Sequence, residues 1–232
     1  MKIETSKKIN NIILIGFVII MIVGLGYFFY TEFNRVRGSR YLDVAEINEY
    51  QGENLSSIND FRENSIKGPQ YIDKEKYSLE ITGLIENPKD YAYEEVINNF
   101  ENYKKVVTLN CVEGWSTTIL WEGILFKDLI NKLKPTSQAN TVIFYADDGY
   151  STSHPIDYLV DNDILMAFKM NDVILPAERG FPFQLVAESK WGYKWIKWIT
   201  KIEFSDDKDY EGYWEKRGYS NDGDLDEGFF SK

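Results

Sequence analysis

Cys111 is the only cysteine in the chain and His154 the only histidine. A thiol attacks carbon or binds metal as its thiolate, so a lone Cys does chemistry either beside a base or on a metal. Cys111 ends a short β-rich run and is followed by Val-Glu-Gly-Trp, where Gly114 beside Trp115 implies backbone brought close to something bulky. Two readings of the residues stand open: a small buried hydrophobe, or a Cys111–His154 thiolate–imidazolium pair of the kind a cysteine hydrolase uses. His154 is correspondingly either structural or catalytic. A second group gathers Lys190, Lys194, Lys197 and Lys201 around Trp191-Gly192-Tyr193 and Trp195, with Arg179-Gly180 just upstream. It is either a solvated strand face with snorkelling lysines or an anion site, with cations for a phosphate and aromatics to flank a planar ring. The acidic run Asp222-Gly-Asp-Leu-Asp-Glu-Gly228 departs from the EF-hand pattern, because its glycine stands seventh, and is expected to be a solvated tail.

Composition narrows what these residues can do. The 232 residues fit one domain plus an appendage, and 44% hydrophobic with 16% aromatic content is enough for a sizeable core. A formal net charge of −11 argues against a nucleic-acid partner, which requires a basic stripe. One Cys and one His exclude an intrachain disulfide and any zinc site built from several thiolates or imidazoles. An enzyme with this inventory must rely on one thiol or on a bound cofactor.

The elements that position these groups can be read from periodicity. Ile12 to Tyr30 is an uncharged apolar run, roughly 28 Å long as a helix, and is expected to be a single-pass transmembrane helix. Lys2, Lys7 and Lys8 precede it and Arg35, Arg37 and Arg40 follow it, so the positive-inside count does not orient it. The expected organisation is a tail over 1–11, the anchor over 12–30, a stalk over 31–60, a globular domain over 61–220 and the acidic tail over 221–232. Within the domain, Tyr77, Leu79 and Ile81 share one face of a strand. Residues 105–110 and 141–146 read as buried strands. Phe126, Leu129, Ile130 and Leu133 mark a helix stopped by Pro135. Residues 93–100 and 156–166 read as short helices. The alternation of Ile196, Trp198, Thr200, Ile202 and Phe204 predicts a strand with Lys197 on its opposite face. Strands that outnumber helices without alternating with them point to an α+β class.

Five segments then fall in register with one family. Cys111-Val-Glu-Gly-Trp115, Trp121-Glu-Gly-Ile-Leu-Phe-Lys-Asp-Leu129, Asp148-Gly-Tyr150, Gly180-Phe-Pro-Phe-Gln-Leu-Val186 and Gly192-Tyr-Lys-Trp-Ile-Lys-Trp-Ile199 resemble the motifs of oxidoreductases with a sulfite-oxidase-type molybdopterin domain. The resemblance runs from about Phe61 to Tyr219. It implies a fold of mixed β-sheets with short helices and a molybdenum–molybdopterin cofactor, with Cys111 as the protein's metal ligand. The pterin dithiolene would supply the other sulfurs, so a single Cys suffices. By the same resemblance Asn64, Lys67, Gly68, Arg179, Gln184, Trp195, Ile196 and Lys197 are cofactor contacts. Relatives often carry His or Asn where Arg179 stands, and Arg where Gln184 stands. Tyr150 and His154, together with Arg62, are candidates for the substrate pocket.

The implied activity is two-electron oxygen-atom transfer, either sulfite oxidation or sulfoxide reduction, on a small-molecule substrate with a separate electron-transfer partner. The anchor adds a membrane partner and a single-pass location. Exported relatives carry a twin-arginine signal where Ser6-Lys7-Lys8-Ile9 stands here, and the domain is expected outside the cytoplasm. A non-catalytic tethered domain and the Cys–His hydrolase are the rival functions.

Overall fold

The computed structural model describes residues 46–230, together with Gly16 and residues 21–26. The chain divides into a unit at Met1–Ala45 and a unit at Glu46–Lys232. In the first, residues 21–26 are helical, with Met21, Ile22, Val23 and Leu25 exposed. The rest of the anchor expected at 12–30, the tail at 1–11 and the stalk as far as residue 45 lie outside the described residues. Among the described residues no helix is long and apolar enough to cross a membrane.

The second unit is built on two five-stranded sheets. One contains β5 (Tyr103–Asn110), β6 (Ser116–Leu125), β9 (Leu165–Met170) and β10 (Val173–Ile174) in the order β10-β9-β6-β5, with β11 (Gln184–Val186) also paired to β9. The other runs β4-β3-β12-β7-β8, from β3 (Ser78–Gly83), β4 (Lys89–Ala92), β7 (Thr141–Ala146), β8 (Ser151–Pro155) and β12 (Ile199–Ser205). Pairing is antiparallel except between β3 and β12, which run parallel. Helices α1 (Tyr93–Asn99), α2 (Phe126–Leu133) and α3 (Ile156–Asp161) each follow directly on a strand. The class is α+β, as the balance of periodicities predicts.

Several elements follow simply from side-chain pattern. In β3 Leu79 and Ile81 are buried between exposed Ser78 and Glu80, and Tyr77 continues their face. Helix α2 buries Phe126, Leu129 and Leu133. It ends at Lys134, in the left-handed conformation with its N–H donating to the Ile130 carbonyl, just before Pro135. Phe126 meets Phe144 edge-on at 5.3 Å, joining α2 to β7 in the core.

Five expectations need correction. The helix read over 156–166 stops at Asp161, because Asp163 turns to positive φ and the apolar run from Leu165 is a buried strand, β9. Residues 105–110 form part of β5 but alternate in burial rather than being buried throughout. The strand read from Ile196 begins only at Ile199, because Trp198 has φ of 54° and a bulge between Ile199 and Lys201 shifts the phase. Residues 46–60 are not stalk. A short hairpin, β1 (Glu49–Tyr50) with β2 (Glu53–Asn54), precedes a segment whose Ser56 N–H donates to the Thr118 carbonyl. The Glu46 carboxylate accepts from Ser57, Ile58 and fully buried Asn171, which binds this stretch to the sheets. The acidic tail is likewise folded in: Asp224 pairs with Lys190 at 2.5 Å and Phe229 packs edge-on against Trp191.

Candidate active site

Cys111 follows directly on β5 and opens a tight turn. Its N–H donates to the Trp115 carbonyl at 2.9 Å and its carbonyl accepts from Gly114 at 3.0 Å. Gly114 has φ of +86° with open space where a Cβ would stand, so backbone conformation rather than close approach requires glycine there. Asn110 bridges in parallel to Trp191, which brings the Gly192 backbone against Leu109 and Cys111. Cys111 is 7% exposed, and burial pushes its thiol pKa up. Asn64 Nδ2 donates to Sγ at 3.5 Å.

The thiol faces a cavity of about 480 Å³. Its walls come from the ends of both sheets: Cys111 after β5, Gln184 opening β11, Asp148 and Tyr150 in the β7–β8 turn, and Trp195 to Trp198 leading into β12. An irregular segment, 58–68, crosses one side, and Trp214 with Tyr219 closes another. Of the residues singled out in the sequence, Asn64, Gly68, Cys111, Tyr150, Arg179, Gln184, Trp195, Ile196 and Lys197 line this one cavity. Tyr150 is held by donating to the Tyr193 carbonyl, and burial raises its pKa well above the ordinary phenol value.

Two candidates do not reach it. Lys67 is exposed, with its ammonium beside Gly149. His154 is 1% exposed, stacks on Tyr158 at 5.1 Å and shares a 3.0 Å hydrogen bond with the Lys194 carbonyl. Strand β8 turns it into the core behind the cavity wall, so the Cys111–His154 hydrolase reading is overturned. Burial, reinforced by the Lys194 charge, holds its pKa well below 6.5. The folded chain therefore refuses a proton that the unfolded chain accepts. Stability should fall as pH drops below about 6.5, by up to ~1.4 kcal/mol per pH unit from this residue. Denaturant melts of His154→Phe, compared with the parent at pH 5 and 7, should show that part of the slope removed.

The lysine row also separates. Lys190 is paired with Asp224, and Lys201 with Glu80 and Glu203. Lys194 is fully buried and paired with Glu215 at 2.8 Å. Only Lys197 of the four lines the cavity, with Nζ 2.6 Å from Glu63 Oε1 and 4.2 Å from the Trp198 ring centroid. Arg179 also lines it, stacked 3.8 Å over Phe61 and donating to the Ile58 and Phe61 carbonyls.

Sequence reasoning missed Glu63, Glu113, Asp148 and Glu178 as cavity residues. Glu113 was within reach of inference, being two residues from Cys111. It accepts from the Trp115 indole at 3.3 Å and pairs with Arg62 at 3.6 Å. Glu63 had no local signal, since its partner lies 134 residues away.

The arrangement suits a metal-bearing heterocycle. Among the described residues no cluster of three or more His, Cys, Asp or Glu could hold a metal alone, so a metal at Cys111 needs ligands from a cofactor. The cavity offers that cofactor a thiol, the Arg179 and Lys197 cations, the buried Gln184 amide and the Trp195 ring.

Comparison with known proteins agrees. A family model described as oxidoreductase molybdopterin binding domain matches residues 66–214. The uncharacterized oxidoreductase YuiH of Bacillus subtilis (strain 168) is 32% identical over 157 residues, 67% of this chain and 78% of its own length. The protein-methionine-sulfoxide reductase catalytic subunit MsrP of Xanthomonas campestris is 28% identical over 173 residues, 66% of this chain. The match covers 54% of that subunit, so the chain spans about half its length. The sulfane dehydrogenase SoxCD of Paracoccus pantotrophus superposes with a TM-score of 0.59 at 20% identity, over 67% of this chain and 43% of its own, a likeness of fold. With the family model covering most of the folded unit, the chain belongs to the molybdopterin-binding oxidoreductases and is an enzyme whose cofactor is molybdenum–molybdopterin.

Proposed function

We propose that this enzyme reduces a neutral oxygen donor, a sulfoxide, rather than oxidising sulfite. The observation that carries the choice is charge. The cavity wall holds three cations (Arg62, Arg179, Lys197) against four carboxylates (Glu63, Glu113, Asp148, Glu178), in a chain of net charge −11. Arg62 and Lys197 are already ion-paired. With Lys197 taken up by the cofactor's phosphate, the rest of the wall is net negative and disfavours a sulfur oxyanion relative to a neutral sulfoxide. The name of the MsrP relatives, protein-methionine-sulfoxide reductases, supports the same class.

When bound, the cofactor's molybdenum supplies the two-electron exchange. The chain's residues then have separate tasks. Cys111 binds the metal through its thiolate, and coordination offsets the burial that disfavours the thiolate in the cofactor-free chain. Lys197, Arg179, Gln184 and the Trp195–Ile196 backbone hold the pterin, with Asn64 and Gly68 from the crossing segment. Phe61 and Trp115, 5.7 Å apart, give an apolar flank for the sulfide end of the substrate. Reduction of a sulfoxide to sulfide and water consumes two protons, and the half-exposed Glu113 carboxylate beside Cys111 can pass them from solvent. The two electrons come from a separate carrier.

Steady-state assays decide between the two substrates. With a reduced dye as electron donor, kcat/KM for methionine sulfoxide should exceed kcat/KM for sulfite, assayed with an oxidised dye as acceptor, by roughly 10- to 1,000-fold. A larger kcat/KM for sulfite would sink the proposal.

The same reading places the enzyme on a membrane through residues 12–30, with the folded unit outside the cytoplasm. The exposed apolar side chains of helical residues 21–26 support it. Deleting residues 1–31 should move the protein from the membrane fraction to the soluble fraction with its pterin retained. Retention in the membrane fraction would reject the anchor.

A further inference from the structure

Segment 58–68 has no strand or helix, yet its residues Phe61 to Ile66 and Gly68 line the cavity. At its start, Arg179 Nε and Nη2 donate to the Ile58 and Phe61 carbonyls at 2.8 and 2.7 Å. Beyond Phe61 it is tied by Lys197 to Glu63 and by Asn64 to the Cys111 sulfur. The Arg62–Glu113 pair on the same stretch is largely solvent-exposed at 77% and 45%, which makes it weak. Glu63–Lys197, at 22% and 16%, is half-buried and is the stronger tether.

Lys197 cannot follow Glu63 if the segment lifts. Its ammonium sits over the Trp198 ring and donates to the Glu178 carbonyl at 3.4 Å. Its stem lies against Gly180, where φ is +98° and a Cβ would stand 3.0 Å from Lys197 Cβ. When Glu63 leaves, the cation therefore stays in the cavity wall and faces whatever has entered.

We propose that Glu63 is a displaceable counter-ion: a phosphate group entering the cavity exchanges with the Glu63 carboxylate on Lys197 and so unlatches segment 58–68 from over Cys111. This rests on the reading that Lys197 meets the anionic end of the cofactor. A phosphate and a carboxylate held at one ammonium repel each other, so the latched segment and the bound anion compete. By linkage each weakens the other by the same factor. The site accepts free phosphate or the phosphate monoester of the pterin, because the chemistry at Lys197 is shared.

Cys111 reports the latch directly, being the only thiol. The full chain, purified from a host unable to make molybdopterin, is alkylated with iodoacetamide with and without inorganic phosphate at matched ionic strength. Phosphate should speed alkylation of the parent several-fold. Glu63→Gln should react about tenfold faster without phosphate and no longer respond to it. Asp60→Asn, on the same segment but exposed and outside the cavity lining, should keep the parent's rate and response. A parental rate or a surviving phosphate response in Glu63→Gln overturns the latch. The pterin arm uses holoprotein from a cofactor-making host, where Lys197→Ala should lose most of its pterin and Glu63→Gln should hold at least the parent's content. If Lys197→Ala keeps its pterin, the reading of Lys197 fails and the latch falls with it. If Lys197→Ala loses pterin while Glu63→Gln alkylates like the parent, the latch alone fails.

Discussion

Cys111→Ser should purify folded and without measurable oxidoreductase turnover, a loss of several orders of magnitude. Serine is nearly isosteric with cysteine, and Cys111 sits at a turn whose hydrogen bonds are made by its backbone, so the fold has little reason to change. The chemistry changes completely. A soft, polarisable thiolate on the metal is replaced by a hydroxyl whose deprotonation in a buried wall is far harder. Elemental analysis should show molybdenum falling along with turnover, while the thermal melt stays within a few degrees of the parent. Full turnover in purified Cys111→Ser would refute the assignment of Cys111 as metal ligand.

The largest effect on stability should come from Glu215→Ala. Lys194 and Glu215 are both fully enclosed, at 1% and 0% side-chain exposure, and Glu215 Oε1 also accepts from the Thr152 hydroxyl at 2.7 Å. Burial lowers the Lys194 pKa, and the Glu215 carboxylate opposes that shift. Removing the carboxylate strands a buried ammonium and a buried hydroxyl, at a cost of about 3–5 kcal/mol. For a folded unit of this size that corresponds to a Tm lower by on the order of 10 °C. Replacing both partners, as Lys194→Met with Glu215→Leu, should recover most of the loss, because no charge is then left unpaired. A single variant that costs less than about 1 kcal/mol would show that water reaches the pair.

The contrast between Lys194 and Lys197 shows what the sequence could and could not reveal. The row 190, 194, 197, 201 reads as one cationic surface, since only spacing is visible. In the fold each lysine has a different carboxylate: Asp224, Glu215, Glu63, and Glu80 with Glu203. Those partners lie on other elements, and nothing local announces them. Strand β3 and helix α2 were legible because their periodicity records a single buried face. Strand β9 was not, because an apolar run buried on both faces has no period to distinguish strand from helix. Asn64, Gly68, Cys111, Arg179, Gln184 and Trp195 to Lys197 line one cavity, while Lys67 stays outside it. That His154 stays outside as well was not legible, because a lone imidazole in a sequence gives no sign of which side of a strand it takes.

The parallel pairing of β3 with β12 has a consequence in time. Parallel partners need a crossover, and here it comprises everything between Gly83 and Ile199. During synthesis β3 therefore waits on the order of ten seconds before its partner is made, with one edge open to other chains. Trp195 to Trp198 lead into that same late strand, and Trp214 and Tyr219 are made later still. The cavity is thus incomplete until Tyr219 has been made, and cofactor loading cannot come before that point.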